Sequence, residues 1–248
     1  MRRRDFMKLT SGAVLLGGAT SLPLFAANNG TVVGSPTFAA AKFGNGITSS
    51  SDSNYISIPT GLASTISGGN FTLEAWMQAG GSGLRVGISI GAAWIGIDGS
   101  DLCTYDFTSM GFSTGGGGSS LASGMHHVAL VIGGGNTLNV YIDGVLAAGP
   151  QTGTFAAPGA VTTFIGRYQP SSGFSFQTGK IDEVVVWNTA QYTAGFAPAT
   201  VAYGSGISAI SGYHLDSDGS DFKGGGGGGS TAPVSRIGGN ISGGDFAY

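Results

Sequence analysis

The stretch from His126 to Ala148, HHVALVIGGGNTLNVYIDGVLAA, limits what this chain can fold into more than any other. Val128, Leu130 and Ile132 alternate along one run, and Leu138, Val140 and Ile142 along the next. A period of two, with apolar residues inward and small or polar residues outward, marks strands with one face on a core. Asp143-Gly144 between Ile142 and Val145 fits a two-residue hairpin turn, which needs positive φ angles. Three antiparallel strands are therefore expected in this one window.

The rest of the chain has the same grain, and no segment reads as a globular helix. Strands are expected at Gly30–Val33, at Tyr55–Ile58, and at Phe71–Met77, where Phe71, Leu73, Ala75 and Met77 alternate with polar residues or Trp76. Leu84–Ile97 continues in two phases. Further strands fall near Leu102–Phe107 and Met110–Ser113, with a loop at Gly115–Gly124, and then at Thr162–Arg167 and Lys180–Trp187. Ala190–Thr200 reads as an irregular or short helical cover, and Gly212–Leu215 as a last strand. Glycine accounts for 48 of 248 residues and charged residues for 9%, which suits short strands and tight turns and excludes a helical bundle or a charged disordered chain. The expected class is all-β: an antiparallel β-sandwich forming a single domain over residues 28–222. Six glycines at Gly224–Gly229 make a spacer, and residues 223–248 form a polar tail expected to lack order.

Residues 1–27 read as an export leader. Met1–Lys8 (MRRRDFMK) precedes a weakly apolar run ending in small residues at Ala26 and Ala27. Arg3 and Arg4, with Phe6 and Lys8, resemble the twin-arginine pattern R-R-x-F-L-K, which engages machinery that exports folded proteins. An ordinary secretory signal or an uncleaved anchor are the alternatives. The expected location is the periplasm, the cell surface or the medium. No later run is long and apolar enough to span a bilayer. The leader holds Arg2, Arg3, Arg4, Lys8 and Asp5, which leaves six basic and twelve acidic residues, a net charge of −6. Such a surface argues against nucleic acid as a partner. The lone Cys103 in DLCTYDF cannot form an internal disulfide and reads as a small buried hydrophobe.

Five stretches in order, KFGNGI with YISIP, FTLEAWM, HHVALVI with NTLNVYIDGVL, FIGR, and GKIDEVVVWNTAQYT, are similar to the laminin-G-like, concanavalin A-like family. The resemblance runs from about Gly30 to about Tyr203 and implies a jelly roll. Family members bind glycans, proteins or calcium, so the fold alone fixes no activity. Met125 stands where the family often has Trp. A strand resembling Tyr213–Phe222 commonly opens the family domain, whereas here it follows the body. It either pairs beside the first strand or is the remnant of a following copy.

Catalytic patterns are weak. Hydrolases of this architecture carry E-x-D-x-E or E-x-D-x-x-E on one strand. Here the only glutamates, Glu74 and Glu183, lie on separate strands, and Asp182 and Glu183 should face opposite ways. Gly87–Gly91 matches G-x-S-x-G around Ser89, but within a strand rather than at a strand-to-helix bend. Lys180 follows Gly179 without the Ser or Thr of a phosphate loop. His126 and His127, adjacent in a strand, cannot chelate one ion together. The expectation is a non-enzyme.

Two kinds of binding site remain. Asp216, Asp218 and Asp221 in DSDGSDF could wrap a calcium ion or simply form a solvated turn; Asp98 and Asp101 in IDGSD are a weaker pair. Sugar binding needs exposed aromatics beside polar groups, and Trp94, Tyr105 and Tyr168 lie near variable loops, whereas Trp76 and Trp187 read as buried. The expected partner is a glycan or surface polymer, or else protein subunits of an extracellular or phage-like assembly.

Overall fold

The computed structural model describes residues 28–48, 52–168, 175–176 and 178–223. Residues 1–27, expected to be an export leader with Arg3 and Arg4, and residues 224–248, expected to be a glycine spacer and tail, lie outside these. In chain order the strands are β1 (Thr31–Val33), β2 (Thr37–Ala40), β3 (Asn45–Thr48), β4 (Tyr55–Ile58), β5 (Phe71–Ala79), β6 (Arg85–Ile90) and β7 (Ala93–Ile97). There follow β8 (Cys103–Asp106), β9 (Thr114–Gly117), β10 (His126–Gly133), β11 (Thr137–Ile142), β12 (Val145–Thr152), β13 (Thr163–Ile165), β14 (Gly179–Trp187) and β15 (Ser211–Tyr213). Among the described residues one short α-helix, α1 (Thr60–Ser64), lies between these strands.

The strands form two antiparallel sheets, one ordered β1-β4-β13-β6-β7-β8-β9 and the other β12-β11-β10-β5-β14-β3-β2, with β15 paired to β14. Consecutive hairpins such as β6-β7-β8-β9 and β10-β11-β12 are joined by long-range pairings, β1-β4, β4-β13, β13-β6, β10-β5, β5-β14 and β14-β3, as in a jelly roll. Ile56, Ile58, Ile88, Ile90 and Ile95 of the first sheet meet Leu73, Met77, Val128, Leu130, Val140 and Ile142 of the second in one continuous core. Burying each such side chain stabilises the fold by roughly 1.5–3 kcal/mol before entropy is counted. Ile142 pairs with Val145 across the Asp143-Gly144 turn, and Asp143 and Gly144 have φ of 49° and 78°. The antiparallel sandwich read from the alternation is the fold observed.

Several local expectations are corrected. No strand lies at Met110–Ser113: Thr108–Met110 is a 3-10 turn ended by Gly111 at φ 89°, and the strand is β9, inside the stretch expected to be a loop. Three of its four residues are glycine, so it carries no alternation. Strands β2 and β3 lie where the sequence marked no strand, and α1 sits after Pro59 with Leu62 and Ala63 buried. The strand after the body pairs with β14 through Val184–Tyr213 and Val186–Ser211. The loop beyond it reaches the first strand, where Gly30 N–H donates to Gly219 O at 2.7 Å.

Candidate binding face

The two sheets differ in what lies on their outer sides. On the seven-stranded sheet, Thr31, Ser57, Phe164, Ser89, Trp94, Asp106 and Thr114 are successive cross-strand partners. Their strand neighbours Ile56, Ile58, Ile88, Ile90, Ile95 and Tyr105 point into the core, so this row points away from it. With strands about 4.8 Å apart, Trp94 and Phe164, separated by β6, stand about 10 Å from each other.

After β13 the chain turns at Gly166, at φ 86°, and runs back over this face. Ser89 Oγ donates to the Arg167 carbonyl at 3.0 Å and holds the segment down. Tyr168 then meets Trp94 edge to face, with centroids 6.3 Å apart and planes at 74°. Tyr55 and Phe164 make a second such contact at 5.5 Å, and the Arg167 guanidinium lies 4.7 Å over the Tyr55 ring. Asp106 completes the row, its Oδ1 accepting from Thr108 N–H at 2.9 Å and Thr108 Oγ at 2.7 Å. Two of the three aromatics singled out from the sequence, 74 positions apart, thus stand together with a carboxylate beside Trp94 and a cation on the same face.

The third does not join them. Tyr105 is 2% exposed and packs in the core beside Cys103, because β8 points Cys103 and Tyr105 inward and Thr104 and Asp106 outward. Burial pushes the Cys103 thiol up to about 12, helped by the charge on Asp98, so it is an inert hydrophobe. Ser89 lies within β6, without the helix that a nucleophile elbow needs.

The three aspartates read as a calcium loop point to separate partners. Asp216 Oδ1 accepts from Asn45 N–H at 2.8 Å, and Asp218 Oδ1 from Ser220 N–H at 2.8 Å. Asp221 is 2% exposed and accepts from Ser211 Oγ, Gly212 N–H, Lys223 N–H and Asn28 N–H. It fastens β15 to the start of the domain. No group of three metal-ligating side chains occurs among the described residues. Asp98 caps Ser100 and Leu102, while Asp101 pairs with the buried Arg85 at 2.7 Å.

The outer side of the eight-stranded sheet is covered. Tyr192 and Phe196, stacked at 3.5 Å, pack with Ala190 on Ala129, Val131 and Tyr141; Tyr203, Ile207 and Phe222 pack on Val185 and Trp187. Beneath lie acidic groups that local spacing did not mark. Glu74 Oε1 accepts from Trp187 Nε1–H at 2.9 Å and Oε2 from Tyr192 O–H at 2.6 Å, with His127 Nε2 at 3.4 Å. Asp182 and Glu183 do not face opposite ways. A bulge between Asp182 and Val185, with Glu183 at φ 50°, leaves Ile181 and Val184 both in the core and both carboxylates outside it. Asp182 accepts from Lys42 N–H and Phe43 N–H, and Glu183 from Tyr203 N–H, with His214 Nδ1 2.6 Å away.

These arrangements can be set beside known proteins. The chain is 19% identical to a candidate carbohydrate-binding protein from Bacteroides ovatus, covering 79% of this chain and 53% of that one at a TM-score of 0.48. Domain 4 of AbnA, a GH43 extracellular arabinanase from Geobacillus stearothermophilus in complex with arabinotriose, is 16% identical over 71% of this chain and 95% of that one, at 0.47. A mutant Trypanosoma rangeli sialidase with trans-sialidase activity is 16% identical over 67% of this chain, at 0.46. Only 31% of that sialidase is covered, so this chain spans less than a third of its length. No curated protein matches in sequence. A laminin-G family model, described as concanavalin A-like lectin/glucanases superfamily, matches residues 50–193, from just before β4 through β14 to the cover. The match takes in more than half of the chain and both sheets of the sandwich, and the chain belongs to that superfamily.

Proposed function

We propose that the protein is an exported, non-catalytic binding module that recognises a carbohydrate or surface polymer on the outer face of the seven-stranded sheet. The observation that carries this reading is the Trp94–Tyr168 pair, half-buried on that face with Asp106 paired beside Trp94. Aromatic faces stack on sugar rings, and flanking polar groups fix the orientation. A binding role rather than a hydrolytic one is supported by the state of the glutamates. Both are buried under the cover and already engaged, and the one carboxylate in the outward row is Asp106. Export rests on Arg3 and Arg4 in the leader, which would hand the chain to the twin-arginine machinery and place it in the periplasm, on the cell surface or outside.

A glycan array probed with the full exported chain, with calcium and again with EDTA, tests this. Binding that falls at least about tenfold in Trp94→Ala with Tyr168→Ala, at unchanged melting temperature, is the expected result. Binding unaffected by both substitutions would place the ligand elsewhere. A second reading, a subunit of an extracellular assembly, draws on the edge strand β12, where Val145 is 69% and Leu146 47% exposed. A stable oligomer that Leu146→Lys dissociates, together with silence on the array, would favour it.

A further inference from the structure

Beyond the leader the chain has few cations, and those described are nearly all engaged. Lys42 Nζ lies 3.9 Å from the Trp76 ring centroid, Arg85 pairs with Asp101, and Lys180 donates to Ala40 O and Lys223 to Ser205 O. Arg167, like Lys42, is engaged by aromatic rings rather than by a carboxylate. Its guanidinium stacks over Tyr55 at 4.7 Å and lies 6.0 Å from the Phe164 centroid, yet no carboxylate among the described residues pairs with it. Its Nε is buried with no hydrogen-bond partner among the described residues. The sequence from Tyr168 to Gly179 contains no Asp or Glu, so the following segment brings no counter-ion of its own.

Stacking occupies the faces of a guanidinium and leaves its in-plane N–H donors for other partners. The backbone of Arg167 is fixed by Ser89 Oγ, and Ser89 is the cross-strand partner of Trp94. A charged fork with spare donors therefore lies over Tyr55 and near Phe164, on the same sheet face as the aromatic pair and on the face already proposed to bind. Its rotamer is restrained by Tyr55, so little freedom is lost when an anion docks.

We infer that this face takes an acidic saccharide, one bearing a ring carboxylate of the uronate type, whose carboxylate is held by Arg167 while a sugar ring packs on Trp94 and Tyr168. The inference deepens the binding reading above and rests on it. Carboxylate geometry matches the guanidinium fork, with two parallel N–H···O bonds. The chain after the leader carries a net charge of −6, so it does not attract polyanions in general. A preference for acidic sugars would trace to this one residue.

The test titrates the full chain with polygalacturonate, alginate and hyaluronan, and with the carboxyl-reduced neutral form of each. Sulfated glycans make a separate arm. The acidic form of at least one polymer should bind at least about tenfold more tightly than its reduced form. Arg167→Gln should erase that difference while keeping the affinity for the reduced form, and Arg167→Lys should restore only part of it. Trp94→Ala should weaken both forms. Equal binding of acidic and reduced forms, a preference that survives in Arg167→Gln, or binding of sulfated glycans alone would overturn the inference. Neutral glycans binding alone would do so too, yet leave the binding module standing. Folded protein that binds no glycan at all would overturn both. The acid-against-reduced comparison uses the unmodified protein, so it decides the matter even where a variant fails to fold.

Discussion

Glu74 shows how much one buried carboxylate can organise. Its neighbours Leu73 and Ala75 point into the core, so its side chain emerges under the cover, where it meets Trp187, Tyr192 and His127. Burial alone would raise its pKa, but the His127 ring and the Tyr192 and Trp187 donors outweigh burial and hold the carboxyl below its ordinary value. Replacing it with Ala would strand two buried donors and the imidazole, at a cost of about 3 kcal/mol, whereas Glu74→Gln keeps an acceptor and should cost less. Urea denaturation of the two variants checks this; equal costs would mean that packing, not hydrogen bonding, is what Glu74 supplies. Parity along a strand made much of this scale readable in advance. The alternation of Cys103 and Tyr105 against Thr104 and Asp106 assigns Tyr105 to the core, and only its hydroxyl suggests otherwise. Glu74 alternates just as clearly, but alternation says only that it leaves the main core. It does not say that Tyr192, 118 positions later, lies on top of it.

At the scale of elements, strands that alternate were legible and strands that do not were hidden. Strands β5, β10 and β11 came directly from period-two runs, while β9 (TGGG) and the short β2 and β3 have too few side chains to show a period. The bulge in β14 was equally silent, because a glutamate at positive φ leaves no mark in the sequence. The Asp143-Gly144 turn was legible, but its second task was not. Phe196 N–H donates to Gly144 O at 3.0 Å, so the turn also docks the cover on the sheet. A Cβ on Gly144 would stand 1.8 Å from Phe196 O, at a φ of 78°. Gly144→Ala should therefore loosen the cover as well as strain the hairpin, costing about 2 kcal/mol or more. Hydrogen exchange should quicken at Phe196 and its neighbours while β10 stays protected. Uniform quickening over both would show that the cover and the sandwich unfold as one.

At the scale of the molecule, one outer face is sealed and the other carries the half-buried row, and this division was not legible, since it depends on where residues 188–222 lie. It also concentrates the buried titrating groups on the sealed side, which fixes how stability should vary with pH. Burial raises Asp182 to about 7, with the Glu183 charge adding to it and the Phe43 and Lys42 N–H groups opposing it. The Glu183 hydrogen bond raises His214 despite burial, helped by the charges of Glu183, Asp216 and Asp182. Both groups keep protons in the folded protein that they release in the unfolded chain, so each stabilises less as pH rises. For Asp182 the loss spans its ordinary value of 3.8 to about 7, and for His214 it begins at its ordinary 6.5 and runs upward. Glu74 has the opposite sign, its contribution being lost only as acid takes the pH below its ordinary 4.5. The melting temperature should therefore peak at mildly acidic pH and fall between about pH 5 and pH 8. Asp182→Asn should flatten the lower part of that fall, and His214→Gln the upper part. A melting temperature that climbs steadily from pH 5 to pH 8 would mean that Asp182 is ionised beneath the cover, held by the N–H groups of Lys42, Phe43 and Glu183.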